Sequence, residues 1–332
     1  MKLQCVNIHH ETVDKSSYTF SVVDSYHNMA IFPGCHINLK YQNIDGSYVS
    51  RSYTVIEIHN QNTFSIIVKR TGNSGVSDAL YQNLKNGDIL ESEGFFGLSD
   101  FSIFNGKKNI LMISGGVGIT LPYALINEMS WYRNSMRILH CHSEKRILDI
   151  PRIQQLLFFN ETIKTYDLKL YLTDANHSDY ENAYNGRISI NDISYEYKPD
   201  LIMICGSANF SLCLVEQCKK KFPSASIYVE SFGGSEKLVI NNAESQPVKV
   251  TYNGVDIRAK EGENLLGLLE NNNLKVKSKC RSGICGSCVV RVKAGCVRRD
   301  PDFCLSEDDI ANGLVLSCVS YCQSKILEIE SF

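Results

Sequence analysis

Four cysteines toward the C-terminus have the type and spacing to hold a metal–sulfur centre. Cys280, Cys285 and Cys288 follow C-x4-C-x2-C, and Cys318 or Cys322 lies further on as a fourth thiolate. That spacing suits a [2Fe–2S] cluster. Three thiolates must converge from one loop onto two adjacent irons, so the loop has to bend tightly. Gly283 and Gly286 permit the bend, and backbone N–H groups can then aim at the sulfurs. A structural zinc usually takes paired C-x2-C knuckles, and only one such pair is present. Cys296 and Cys304 read as ordinary small residues.

Two further segments carry chemistry in their residue types. In Arg51-Ser52-Tyr53-Thr54 the arginine can clamp a phosphate through paired hydrogen bonds. Tyr53, two residues on, shares its strand face, where a ring can lie against a flat heterocycle. Ser114-Gly115-Gly116-Val117-Gly118-Ile119-Thr120 follows an apolar strand and opens a helix. Glycines there admit a pyrophosphate to the backbone, and the helix N-terminus offers unpaired N–H groups and a favourable dipole. The run is not G-x-G-x-x-G, so it is not the Rossmann fingerprint.

The elements that must position these residues change character along the chain. Residues 18–23, 36–41, 51–58 and 64–70 are rich in aromatic and β-branched side chains, and turn signals such as Pro33-Gly34 and Asn86-Gly87-Asp88 separate them. They predict an antiparallel barrel or sandwich. From about residue 106, strands at 109–114, 137–141, 168–173, 201–205 and 226–229 alternate with helical stretches, which predicts a parallel sheet. Residues 235–246 read as a polar linker. Beyond it, 248–252 and 255–259 form a hairpin around Asn253-Gly254, followed by a leucine-rich helix.

Composition narrows the function classes. The chain has 332 residues, 43% hydrophobic and 21% charged, with Lys+Arg 34 against Asp+Glu 36. So even a balance argues against nucleic acid as the main ligand. No apolar run reaches membrane-span length, the N-terminus lacks a signal-peptide core, and a cytoplasmic location is expected. Thirteen cysteines in a reducing compartment favour metal or redox chemistry over disulfides.

These motifs together resemble the ferredoxin-NADP reductase superfamily, in the form fused to a C-terminal plant-type [2Fe–2S] ferredoxin domain. Relatives of that form include reductase components of Rieske oxygenases, the hybrid-cluster protein reductase and the phthalate dioxygenase reductase group. Residues 280–288, Leu305-Ser306-Glu307-Asp308-Asp309-Ile310 and Gly313-Leu314-Val315-Leu316-Ser317-Cys318 resemble the ferredoxin module, and the resemblance makes Cys318 the fourth ligand. Arg51 to Thr54 resembles the R-x-Y-S/T flavin motif, implying Thr54 near flavin N5. Gly75-Val76-Ser77 resembles the phosphate-binding G-x-x-S segment, one residue short. Ser114 to Thr120 resembles G-G-x-G-I-T-P, with Pro122 one place late and expected in the first helical turn. Cys205-Gly206-Ser207 stands where C-G-P is usual, implying Cys205 near nicotinamide C4. Glu230-Ser231-Phe232 resembles the segment whose Glu and aromatic ring lie close to the flavin. Residues 142–146 stand where relatives bind the adenosine ribose, and Lys145 or Arg146 could pair with a 2′-phosphate.

The resemblance implies an antiparallel β-barrel flavin domain (1–105), an α/β parallel-sheet nicotinamide domain (106–234), a linker (235–246) and an α+β β-grasp ferredoxin domain (247–332). It implies FAD, with FMN as the alternative, a [2Fe–2S] cluster, and NADH in preference to NADPH. The order of cofactors makes a wire: a dinucleotide gives electrons in pairs, a cluster takes them singly, and a flavin does both. No general acid or base is required, so Thr54, Cys205 and Glu230 are expected to position and polarise. The expected acceptor is a protein of oxygenase, hybrid-cluster or desaturase type, met by a monomer through Lys275, Lys277, Lys279, Arg281, Arg298 and Arg299. Direct reduction of a small molecule or ferric iron, or a non-catalytic redox sensor, are the alternatives.

Overall fold

The structure is a computed structural model that describes residues 1–24, 31–42, 48–72, 76–98, 100–129, 136–174, 180–232, 247–279, 281, 283, 285–300, 302 and 304–332. The chain divides into two compact units, Met1–Glu230 and Ser231–Phe332. Residues 233–246, which hold the expected linker, lie outside the described residues, as do Gly75 and Cys280.

The first unit begins with six strands: β1 (Lys2–His10), β2 (Lys15–Val22), β3 (Cys35–Gln42), β4 (Tyr48–Asn60), β5 (Thr63–Lys69) and β6 (Ile89–Gly97), with helix α1 (Val76–Asn83) before the last. They close into a barrel in the order β1-β2-β5-β4-β3-β6, every described pairing antiparallel. Alternate residues fill it: Leu3 and Cys5 of β1, Tyr18 and Phe20 of β2, Ile37 and Leu39 of β3. β1 and β6, which the sequence pattern left unassigned, close the ring.

The rest of the first unit is a sheet ordered β10-β9-β8-β7-β11-β12. Its strands are β7 (Asn109–Gly115), β8 (Arg137–Glu144), β9 (Tyr166–Leu172), β10 (Ala183–Asn185), β11 (Leu201–Ser207) and β12 (Ser226–Phe232), with helices α2 (Thr120–Met129), α3 (Ile153–Thr162) and α4 (Ala208–Lys221) between them. From β10 to β11 neighbouring strands run parallel. Residues 110–113 of β7 are all buried, as a parallel strand covered on both faces requires. Pro122 sits in the first turn of α2, where its missing N–H breaks no helical bond.

Strand β4 serves both halves of this unit. Tyr53 and Val55 pack into the barrel core, while Ile56 joins the core of the sheet and α2. Two charged residues tie the halves together. Lys15, 1% exposed, donates to Asp14 Oδ1 at 3.0 Å and the Asp149 carbonyl at 2.8 Å, and forms an ion pair with Glu144 Oε2 at 3.2 Å. Arg152 meets Glu11 and Glu57, each at 3.2 Å, and Tyr123 donates to Glu57 at 2.6 Å.

The second unit holds a five-stranded sheet ordered β14-β13-β19-β15-β17 and a two-stranded one, β16-β18. These are β13 (Pro247–Tyr252), β14 (Val255–Lys260), β15 (Val289–Ala294), β16 (Val297–Arg299), β17 (Leu314–Leu316), β18 (Ser320–Cys322) and β19 (Ile326–Ser331), with α5 (Leu265–Asn271) and α6 (Glu307–Ala311). The predicted hairpin turn has positive φ at both central residues, Asn253 (47°) and Gly254 (82°), the twist a two-residue hairpin demands. All four leucines of α5 are buried.

Candidate functional site

Four side chains from four elements of the first unit meet in a polar row. Thr120, at the start of α2, has its Oγ1 3.0 Å from the Val117 carbonyl and 3.3 Å from Thr54 Oγ1. Thr54, on β4, donates to Glu230 Oε1 at 2.6 Å. Glu230, near the end of β12, has its second oxygen 3.5 Å from His36 Nε2 on β3. All four residues are buried. Burial pushes the Glu230 carboxyl up to about 8, against the pull of the Thr54 hydrogen bond, and the His36 imidazole down to about 4.

Cys205 joins this group at the carboxyl end of β11. It is fully buried, and burial, reinforced by the nearby Glu230 carboxyl, holds its thiol well above the usual range, so it stays protonated. The glycine-rich turn reaches it closely. A Cβ on Gly118 would stand 2.2 Å from the Cys205 carbonyl oxygen, so only glycine lets the turn cross the strand end. Gly116 has φ 57° with open space where a Cβ would be, and Gly115 packs against Phe210. The structure therefore brings Thr54, Gly118, Thr120, Cys205 and Glu230 together, although 176 residues separate Thr54 from Glu230.

The other expected flavin residues are placed differently. Arg51 is exposed, its Nη1 bonded to the Ser50 carbonyl at 2.9 Å. Tyr53 is 8% exposed among the barrel residues, with its hydroxyl 3.1 Å from Ser77 Oγ. Val76 and Ser77 open α1, and Asp78 accepts from the Thr71 and Gly72 backbone N–H groups at 2.7 and 2.9 Å. Ser52 lies opposite Asn38 on β3, Gly206 follows Cys205, and Phe232 ends β12.

A group with hydrogen-bonding nitrogens and oxygens fits this region. Ser52 Oγ, His36 Nδ1, Asn38 Oδ1 and Glu230 Oε2 are buried polar atoms with no hydrogen-bond partner among the described residues. Such atoms are costly unless something pairs them, and a flavin or nicotinamide ring carries the complementary edges.

In the second unit, Cys288 and Cys318 come within hydrogen-bonding distance. The Cys318 sulfur is the main cause that lowers the Cys288 thiol to about 7. Ser317 fixes the approach, its N–H and hydroxyl donating to the Cys288 carbonyl at 3.0 and 2.9 Å. Cys285 is exposed, 3.4 Å from Ser287 Oγ. Cys322, the rival fourth ligand, is buried in a different apolar cluster, with Val248, Leu265 and Leu327. No group of three or more His, Cys, Asp or Glu donors converges among the described residues, which exclude Cys280. The donor set, thiols without carboxylate or imidazole, fits iron and sulfide. Arg281 is less free than its sequence neighbourhood implied: both its terminal nitrogens bond the Glu270 carboxylate, at 2.9 and 2.7 Å.

Sequence reasoning missed His36 and Lys15. His36 lay inside a strand read correctly, and only the fold brings β12 to it. Lys15 looked like any strand-end lysine.

Comparison with known proteins agrees with both units. Residues 2–101 match the Oxidoreductase FAD-binding domain family and residues 248–323 the 2Fe-2S iron-sulfur cluster binding domain family. The chain is an FAD- and [2Fe–2S]-dependent NAD(P)H oxidoreductase of the ferredoxin-NADP reductase superfamily, fused to a C-terminal ferredoxin domain. Among its relatives, the glycine betaine monooxygenase reductase subunit of Pseudomonas aeruginosa is 26% identical, over 96% of this chain and 92% of that protein. NADH oxidoreductase HCR of Escherichia coli is 25% identical, over 83% of each chain. The solved structure of phthalate dioxygenase reductase covers 99% of this chain and 97% of its own, with a TM-score of 0.69 at 18% identity, a likeness of fold. No helix among the described residues is long and apolar enough to cross a membrane.

Proposed function

We propose that this chain is the reductase component of an oxygenase system, passing electrons from NAD(P)H through FAD and a [2Fe–2S] cluster to the oxygenase in the cytoplasm. The observation that carries this reading is the near full-length likeness to the glycine betaine monooxygenase reductase subunit. It spans the flavin, nicotinamide and ferredoxin regions together.

Arg51, Ser52, Tyr53, Thr54, Val76, Ser77 and Phe232, with Gly75, would hold the flavin. Gly115, Gly116, Gly118, Thr120, Cys205 and Gly206 would hold the dinucleotide. Cys280, Cys285, Cys288 and Cys318 would ligate the cluster. Bound FAD supplies the junction between a two-electron donor and a one-electron acceptor. The chain's own residues then position, polarise and exclude water. Thr120 orients the Thr54 hydroxyl, and Thr54 orients the Glu230 carboxyl. Buried Glu230 and His36 keep the site uncharged near neutral pH, and Cys205 lines it as a protonated thiol. Lys275, Lys277 and Lys279 are exposed beside the cysteine loop and supply positive charge for an acidic acceptor surface.

The test is affinity capture on the loaded full-length protein, followed by NAD(P)H-dependent reduction of each captured protein. Reduction of an oxygenase component that is lost in Cys288→Ser, while ferricyanide reduction continues, supports the reading. Equal oxygenase reduction by the cluster-free variant refutes it. For Cys205, exchange to Ser should slow hydride transfer in stopped flow while flavin stays bound, and unchanged kinetics would count against its role.

A further inference from the structure

The loop that carries Cys285 and Cys288 is met by a further thiol. Cys304, expected to be an ordinary small residue, is exposed and lies against Gly286, the residue after Cys285. Gly286 turns with φ 70°, and a Cβ there would stand 3.6 Å from the Cys304 sulfur. The Gly286 N–H is a hydrogen-bond partner of that sulfur, and Cys285 and Cys288 both lie within its electrostatic reach. Cys304 therefore takes a loop N–H of the kind that serves a ligating sulfur.

The chain on either side holds Cys304 in this place. Asp302 Oδ1 accepts from the Leu305 N–H at 3.3 Å, which closes the backbone around Cys304. Leu305 packs on the apolar cluster that contains Cys288 and Cys318, and Ser306 caps α6 through a reciprocal bond with Asp309. Cys296 and Cys322 are placed otherwise. Cys322 is buried in the other core of this unit, and the Cys296 N–H bonds Ser324 Oγ at 2.8 Å in the turn between β15 and β16.

The ligands assigned above differ in access. Cys288 and Cys318 are 3% and 8% exposed, so among the described ligands only Cys285 is open to solvent and to the oxidants solvent carries. A [2Fe–2S] centre takes four thiolates, which leaves Cys304 over while Cys285 is in place. We propose that Cys304 is a reserve ligand of the iron–sulfur centre, taking the place of Cys285 when that thiolate is released or lost. The exchange moves no electron. The Cys304 thiol gives up its proton as its sulfur meets iron, and the released Cys285 thiolate takes a proton up. Rotation about the Cα–Cβ bond redirects an exposed cysteine sulfur, so the swap needs no refolding of the loop. The inference rests on the ligand reading above, and its failure can be told apart from the failure of that reading.

The experiment compares full-length wild type, Cys285→Ala, Cys304→Ala and the double variant, all isolated without oxygen. Iron and acid-labile sulfide are measured per FAD, with the electron paramagnetic resonance of the dithionite-reduced centre. Cys304→Ala should match the wild type. Cys285→Ala should keep its iron and sulfide with shifted g values, and the double variant should lose both. Alkylation read by mass spectrometry gives a second measure: iodoacetamide should label Cys304 in the native wild type and spare it in Cys285→Ala. Cys285→Ser, which keeps the side-chain size, carries the same comparison where alanine unfolds the loop. Loss of the centre from a folded Cys285 variant overturns the inference and leaves the ligand reading standing. Equal retention in the double variant also overturns the inference, because water then serves in place of Cys304. Loss from Cys304→Ala, or a wild type without iron and sulfide, overturns the inference and the ligand reading together.

Discussion

Glu230 and His36 are opposite kinds of acid, and burial moves them in opposite directions. The carboxyl rises to about 8 and the imidazole falls to about 4, so between those values both are uncharged. The groups near Glu230 do not disturb this: Cys35, Cys205 and Tyr228 are all pushed up by burial and stay neutral. The stability signs differ. The Glu230 contribution is full below the ordinary carboxyl value and is lost as pH rises through about 8. The His36 contribution is full above the ordinary imidazole value and is lost as pH falls through about 4. A carboxylate beside the electron-accepting ring would oppose the negative charge arriving there. Hydride transfer followed by stopped flow should therefore fall roughly tenfold per pH unit above about 8. Glu230→Gln, which mimics the protonated form, should remove that limb, and a limb that persists in the variant would assign it to another group. Thr54→Val leaves Glu230 Oε1 unbonded and should cost about 1–3 kcal/mol in urea unfolding. Thr54, Cys205 and Glu230 were legible through short family-like motifs. His36 carried no such mark, because its meaning depends on a partner 194 residues away, brought in by tertiary packing.

Elements show where local pattern runs out. The hairpin at Asn253-Gly254 and the short buried strand β7 were readable because their signals are local: turn dihedrals in one, a continuous apolar run in the other. β1 and β6 were not. In β1 the alternation of Leu3 and Cys5 breaks at a register shift between Cys5 and Asn7 and ends in His9 and His10. β6 buries Ser92 and Gly94 positions and exposes Glu91, so its pattern carries little apolar contrast. Both are held by barrel closure, a long-range condition. The same holds for the Lys15 brace between β2 and the loop after β8. Lys15→Met removes the cation from Glu144, the Asp149 carbonyl and the half-exposed Asp14 while leaving Glu144 buried, and should lower stability by about 3–5 kcal/mol, read from guanidinium unfolding. A loss within about 0.5 kcal/mol would mean that water already serves Glu144 and Asp149. Gly118→Ala tests the other crossing. A Cβ 2.2 Å from a backbone oxygen forces the turn away from β11, which should cost about 1–3 kcal/mol and weaken dinucleotide binding together.

At the scale of the molecule, the outlet for electrons is a surface whose charge the sequence overstated. Six basic residues cluster near the cysteine loop and β16 in the sequence, but the fold pairs two of them internally. Arg281 is clamped by Glu270, and Arg298 bonds Asp300 while stacking on Tyr321 with its guanidinium 4.0 Å from the ring centre. Lys275, Lys277 and Lys279 remain exposed, alternating with half-buried residues in the segment before the loop, with Arg299 exposed further on. Exposed charges of one sign raise encounter rates with a complementary surface, and they do so less as salt shortens the screening length. Transfer to the proposed protein acceptor should therefore slow as ionic strength rises from about 0.01 to 0.15 M, where the Debye length falls from about 30 to 8 Å. Exchanging the three lysines for glutamine should flatten that dependence and lower the low-salt association rate by about tenfold. Exchanging Arg281 should instead disturb the loop, because its work is inward: the cluster's visible absorption and sulfide content would change while the salt slope would not. A wild-type rate indifferent to salt would place recognition in shape and apolar contact, and the lysines would then be solvation only.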